Sequence, residues 1–193
     1  MRFGKTLAKR KDALFPSLPI MASSANQLLP IHQLVAKISP ALGDQILAFV
    51  QENERDVFVS TMTVACQLMK FRPQVWKTWP KQKQREWLWG LLHQGRFADT
   101  AQQLLQEWFF GQRAEMMTRF LEAMDIAHSK EGYVEGEIPE KLDEKKLQAA
   151  VDGLLKDFAA EEIALYLHLF QRGQEHGWAE ISALLESDAR LKL

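Results

Sequence analysis

The sequence predicts an all-α fold, a compact multi-helix domain of about eight to ten helices arranged as antiparallel helical hairpins. Apolar residues recur at helical spacing along most of the chain, and proline or glycine interrupts that spacing at short intervals. The 193 residues include 47% hydrophobic and 25% charged residues, which is the composition of a globular domain. Short connections between successive helices favour antiparallel neighbours.

Helix-start signals mark the first helices. Pro30 precedes an apolar stripe at helical spacing and predicts a short opening helix. Ser39 is an N-cap candidate followed by proline at the first helical position, which predicts a second helix through Val50. Residues 55–71 begin with an alternation of β-branched residues typical of a strand, but helical spacing resumes around Leu68. We therefore predict a third helix there.

Proline and glycine delimit the helices in the middle of the chain. Pro73 and Pro80 break the chain, and a helix is predicted to begin near Pro80 and to end at Gly95. Two further helices are predicted, one over 97–111 and one over 112–124.

The segment 127–141 is rich in glycine and glutamate and is the longest predicted non-helical connection after the N-terminal tail. Asp143 is a candidate N-cap for the helix that follows. Residues 161–170 are apolar on nearly every side, which predicts a central, buried helix. A last amphipathic helix is predicted over 178–185.

Composition along the chain predicts the domain organisation. Residues 1–22 form a basic, proline-broken segment, predicted to be a loosely ordered tail, and residues 23–193 form a single helical domain with a candidate sub-boundary at the acidic loop 127–141. Residues 1–85 carry 13 Lys and Arg against 5 Asp and Glu, whereas residues 131–193 carry 7 against 14. This asymmetry favours either an anionic partner or attraction between the two parts of the chain.

Cysteine content and hydropathy predict the compartment. Cys66 is the only cysteine, so the chain forms no internal disulfide, which is typical of a reducing compartment. No uninterrupted apolar run approaches the roughly 18 residues of a membrane span. We therefore expect a soluble, cytoplasmic protein without membrane contact. Cys66 follows apolar neighbours, which predicts a buried, inert thiol.

Motifs for catalysis, metals and cofactors are missing from the sequence. It contains no glycine-rich phosphate loop, no Gly-x-Ser-x-Gly elbow and no His-Glu-x-x-His pair. None of the five histidines lies three or four residues from another, as a helical metal site needs. Residues 127–138 lack the acidic ligands of a calcium loop at both ends, which leaves a surface loop or a small hairpin. Glu161 and Glu162 are expected to be solvated first-turn charges. We therefore assign no catalytic residue, metal or cofactor.

The strongest positive signal is the basic–aromatic stretch over residues 70–89. Six basic residues alternate there with four tryptophans, and Glu86 is the only acid. The candidate partner-binding residues are Trp76, Trp79, Lys77, Lys81, Lys83 and Arg85. Packing offers another interpretation, in which Trp87 is core and the cations form a solvated face. Cations in the first turn of a helix are disfavoured by its dipole, which indicates negative charge on a partner or on the acidic C-terminal part of the chain.

Three functions remain open at this point. The leading hypothesis is a non-catalytic helical protein-interaction module whose partner is another protein. The alternative is a nucleic-acid-binding protein that uses cations for phosphates and aromatic faces for bases over residues 70–89. The third is an enzyme whose site is assembled from distant residues. The sequence leaves the identity of the partner and the oligomeric state open.

Overall fold

The computed structural model describes residues 28–193, and within them the all-α prediction is confirmed. Ten α-helices and no β-strand occur in this part of the chain. The helices of the first half are α1 (Ile31–Lys37), α2 (Pro40–Asn53), α3 (Arg55–Leu68), α4 (Pro73–Trp76), α5 (Lys81–Leu92) and α6 (Ala98–Gln112). Those of the second half are α7 (Ala114–Ala123), α8 (Glu144–Leu154), α9 (Ala160–Phe170) and α10 (Ala179–Ser187). Three 3₁₀ turns, Gly95–Phe97, Gln171–Gly173 and Ala189–Leu191, complete the helical structure.

The described chain divides into two compact units, which we call the N-terminal unit (Pro30–Gln112) and the C-terminal unit (Arg113–Leu193 with residues 28–29). The division falls between Gln112 and Arg113, whereas the loop 127–141 lies inside the C-terminal unit. The predicted basic tail over 1–22 lies outside the described residues.

Helix α2 is the centre of the N-terminal unit and packs against α3, α5 and α6. Its N-cap is the predicted one, because the Ser39 hydroxyl accepts a hydrogen bond from the backbone N–H of Leu42 at 3.2 Å. Gly43 permits the close approach of α5, since a Cβ atom there would lie 2.4 Å from Cε2 of Trp89. The absence of a side chain at position 43 therefore allows α2 and α5 to pack this closely.

Helix α9 is the buried helix of the C-terminal unit, as predicted. Its Tyr166 and Phe170 rings meet Phe120 of α7 edge-on, with centroids 5.4 Å and 5.2 Å away. Trp178 stacks on Phe170 at 4.9 Å. These rings are fully or almost fully buried, so they form one aromatic core.

The expectation that Glu161 and Glu162 are both solvated is wrong for Glu162. Glu162 is only 5% exposed, and its carboxylate accepts hydrogen bonds from Nε and Nη2 of Arg113 at 2.9 Å and 2.6 Å. A carboxylate is buried where a bidentate guanidinium replaces the lost water. The partner lies 49 residues away in sequence, so no local pattern indicated it.

The acidic loop 127–141 is non-helical, as predicted, and contains one isolated antiparallel bridge between His128 and Val134. Asp143 then caps α8, where its carboxylate accepts hydrogen bonds from the backbone N–H groups of Lys145 and Lys146. These hydrogen bonds lower the pKa of the Asp143 carboxyl. Across residues 28–193, no helix has the length and apolar character needed to cross a membrane.

Candidate interaction surface

The segment that follows α3 is shaped by a residue in the left-handed conformation. Lys70 has φ of 52°, and the backbone N–H of Phe71 donates to the carbonyl of Cys66 at 2.8 Å. This hydrogen bond closes the C-terminal end of α3 in the way that usually requires glycine. Lys70 is therefore an exposed cation at a position where the left-handed backbone conformation is unfavourable for a residue with a Cβ atom.

Three aromatic rings gather beside this helix end, and we call Phe71, Trp79 and Trp87 the aromatic triad. Phe71 lies 5.6 Å from Trp79 and 5.9 Å from Trp87 between ring centroids, and the two tryptophans meet edge-on at 5.7 Å. All three side chains are half-buried. Each ring therefore packs part of its surface against the other two rings and exposes part to water.

Exposed aliphatic side chains adjoin the triad along the chain. Val64 and Leu68 are 44% and 45% exposed and lie four residues apart, which places them on one face of α3. Met69, which follows directly, is 38% exposed. Within residues 28–193, every exposed large hydrophobic side chain lies between Val59 and Val75. We call Val64, Leu68, Met69 and the aromatic triad together the triad surface.

Unpaired cations accompany the triad surface. Lys70, Arg72 and Lys83 are exposed, and none of them forms an ion pair within the described residues. The Lys83 ammonium lies over the Trp79 ring, 4.9 Å from its centroid. The surface thus combines apolar area with positive charge that the described residues do not neutralise.

A buried amide network supports the triad surface from beneath. The Gln84 side-chain amide donates to the backbone carbonyls of Trp76 and Trp79 at 3.3 Å and 2.9 Å. Its oxygen accepts from the Gln51 amide at 3.0 Å, and the Gln51 oxygen accepts from Arg85 at 3.0 Å. The network joins α2 and α5 to the turn that carries Trp79, and so it fixes the position of that ring.

The six residues that the sequence singled out lie in four different environments. Trp76 is 5% exposed and belongs to the core of the N-terminal unit, so it lies beneath the surface. Arg85 is held by Asp44, with its Nε 2.6 Å from the carboxylate. Trp79 and Lys83 lie in or over the triad. The two that remain, Lys77 and Lys81, are exposed beside a cleft.

Sequence reasoning missed Leu68, Met69 and Phe71 as surface residues. The apolar spacing of α3 indicated that the helix is amphipathic, but Val64 and Leu68 lie at the edge of its apolar stripe. The basic–aromatic stretch over 70–89 includes Phe71, but all six of its candidate residues lie between 76 and 85. The feature that marks Phe71 is its position directly after Lys70, whose left-handed backbone conformation follows the end of α3.

Cys66 carries the only thiol of the chain. Cys66 is buried, and burial raises the pKa of its thiol, which makes it a poor nucleophile. No group of three or more His, Cys, Asp or Glu side chains between 28 and 193 is arranged to hold a metal ion.

Comparison with known proteins adds no relative, because the chain matches no protein family, no curated protein and no solved structure.

Replacing Lys70 with glycine is expected to raise the free energy of unfolding by about 0.5–1 kcal/mol, because glycine adopts the left-handed conformation without a Cβ clash. Urea unfolding followed by circular dichroism measures this. Lys70→Ala is the matched control, since alanine keeps the clash and should give no gain. Equal stabilisation by both variants would contradict the argument.

Proposed function

We propose that this chain is a non-catalytic helical protein-interaction module of the cytoplasm, which binds a partner protein through the triad surface. The observation that carries the proposal is the confinement of exposed large hydrophobic side chains in residues 28–193 to one short segment. Solvent-exposed apolar residues that cluster in this way commonly mark sites of association. The free, buried thiol of Cys66 fits a reducing compartment.

The charges around the surface specify the partner's chemistry. Lys70, Arg72 and Lys83 present positive charge without carboxylate partners among the described residues. A segment that offers apolar side chains flanked by Asp or Glu would bury the aliphatic area and neutralise these cations. We therefore propose an acidic, amphipathic protein segment as the occupant.

Nucleic-acid binding by the same stretch remains the alternative, supported by the unpaired cations. Two observations favour protein over nucleic acid. The aliphatic side chains of Val64 and Leu68 offer nothing to phosphates or bases. The triad rings also pack against one another, and Lys83 covers part of Trp79, which reduces the ring faces left for base stacking.

The test compares capture by three forms of the full chain from a lysate of the native host, with and without nuclease treatment. Wild type and Gln33→Asp are expected to recover the same protein in near-stoichiometric amount, whereas Leu68→Asp should recover at least about tenfold less. Gln33 is the control because it is exposed in the first turn of α1, in the same unit but outside the triad surface, and a carboxylate is tolerated in the first turn of a helix. Binding of the recovered protein, purified, to the three forms completes the test.

Three results would contradict the proposal. Equal recovery by Leu68→Asp would place the site elsewhere on the chain. Recovery that nuclease abolishes would establish the nucleic-acid alternative. Recovery of no protein at all would remove the support for an interaction module and favour an enzyme with a site assembled from distant residues.

A further inference from the structure

A cleft of about 730 Å³ opens in the N-terminal unit, apart from the triad surface. It lies among the end of α2, the start of α3, the short helix α4 and the start of α5. Its lining residues are Gln51, Glu52, Arg55, Phe58, Val59, Trp76, Lys77, Lys81 and Gln84. The volume falls in the range of pockets that hold small molecules.

The amide groups that line the cleft are already engaged. The side-chain nitrogen of Gln84 donates to two backbone carbonyls, and its oxygen accepts a hydrogen bond from the side-chain nitrogen of Gln51. The side-chain oxygen of Gln51 accepts a hydrogen bond from Arg85. Recognition of a ligand therefore falls to the apolar walls and to the charged groups.

The charged groups favour an anion. Arg55, Lys77 and Lys81 are exposed and form no ion pair within residues 28–193, and Glu52 is the single carboxylate that lines the cleft. Lys81 is the first residue of α5, and no side chain caps that helix. A cation at an uncapped helix N-terminus is unfavourable by itself, and a bound anion removes that cost.

Trp76 belongs to the apolar wall of the cleft. Its side chain lines the cleft and is 5% exposed, and its indole nitrogen is closed to solvent. The ring therefore offers a ligand apolar surface rather than a hydrogen-bond donor.

We propose that this cleft binds a small organic anion, with its apolar body against Phe58, Val59 and Trp76 and its carboxylate or phosphate held by Lys77 and Lys81. The site is distinct from the triad surface, because neither the aromatic triad nor Lys83 lines the cleft.

Isothermal titration of the full chain tests the proposal with four probes: 1-naphthoate, 1-naphthyl phosphate, uncharged 1-naphthalenemethanol and inorganic phosphate. Both naphthyl anions are expected to bind, and the tighter one identifies the preferred anionic group. The uncharged alcohol and inorganic phosphate should each bind at least about tenfold more weakly, since each lacks one of the two features.

The double variant Lys77→Gln/Lys81→Gln should weaken the better naphthyl anion at least about tenfold. Lys83→Gln is the control for loss of a lysine charge, because Lys83 lies in α5 with Lys81 but over Trp79, outside the cleft. The control is expected to bind like wild type. Equal affinity of the double variant and wild type, equal affinity for the alcohol, or no heat with either anion at millimolar concentration would overturn the proposal.

Nuclear magnetic resonance of the indole N–H groups provides a second measurement on the wild-type chain. The Trp76 resonance, identified by its loss in Trp76→Phe, should shift when the naphthyl anion binds, because the Trp76 ring lines the cleft. The Trp79 resonance should stay in place. A shift confined to Trp79 or Trp87 would assign the binding to the triad surface instead and would overturn the cleft site.

Discussion

Replacing Arg113 with methionine is expected to lower the free energy of unfolding by about 3–5 kcal/mol. The Arg113 guanidinium makes two hydrogen bonds to the carboxylate of Glu162, whose side chain is only 7% exposed. Without Arg113 that carboxylate is left buried and uncompensated, which is far more costly than losing an exposed pair. Urea unfolding followed by circular dichroism at 222 nm measures the loss.

Arg119→Met is the matched control within the same unit. Arg119 is 45% exposed and pairs with Glu115 and Asp157 on the surface, where water screens both pairs, so its replacement is expected to lower the free energy of unfolding far less than that of Arg113. The double variant Arg113→Met/Glu162→Leu should recover most of the lost stability, because no buried charge remains. Equal costs for Arg113→Met and Arg119→Met would show that burial of Glu162 does not matter.

Replacing Gln84 with leucine is expected to cost about 2–4 kcal/mol, since it leaves the carbonyls of Trp76 and Trp79 and the Gln51 amide without their buried partner. The turn that carries Trp79 should also shift, because Gln84 is what ties this turn to α5. Urea unfolding measures the first effect, and near-ultraviolet circular dichroism of the tryptophans measures the second.

Gln82→Leu tests whether the effect of Gln84→Leu comes from the buried network. Gln82 lies in the same turn of α5 but is exposed, and it bonds only to the exposed Glu86 among the described residues. Its replacement should change the free energy of unfolding by no more than about 0.5 kcal/mol. If Gln84→Leu kept the wild-type tryptophan spectrum and stability, the network would not position the triad. In that case, a displaced triad would not explain any loss of partner binding by Gln84→Leu.

Helix positions followed from local patterns because their causes are local. Ser39 and Asp143 cap helices as predicted, and each accepts its hydrogen bonds from backbone groups two or three residues away. The alternating residues at the start of α3 form a helix in which Phe58 and Met62 share a buried stripe with Ala65, whereas Val59 and Val64 lie outside it and are exposed.

Burial within the basic–aromatic stretch did not follow from local patterns. Trp76 and Trp79 are three residues apart in the same proline-flanked segment, yet Trp76 is buried and Trp79 is half-exposed. The difference arises in the assembled unit, where Trp76 lines the cleft together with Gln51 and Gln84 of two other helices. Lys83 and Arg85 likewise look equivalent in sequence, but only Arg85 meets a carboxylate, that of Asp44, 41 residues away.

By itself the sequence determined the all-α class, the order of the helices and most of their ends, because periodicity, caps and helix breakers act within a few residues. The tertiary structure alone decided which side chains of residues 64–87 face water, which cations are neutralised and where a cleft opens. Those properties depend on side chains brought together from distant positions, and both the triad surface and the cleft are products of that assembly.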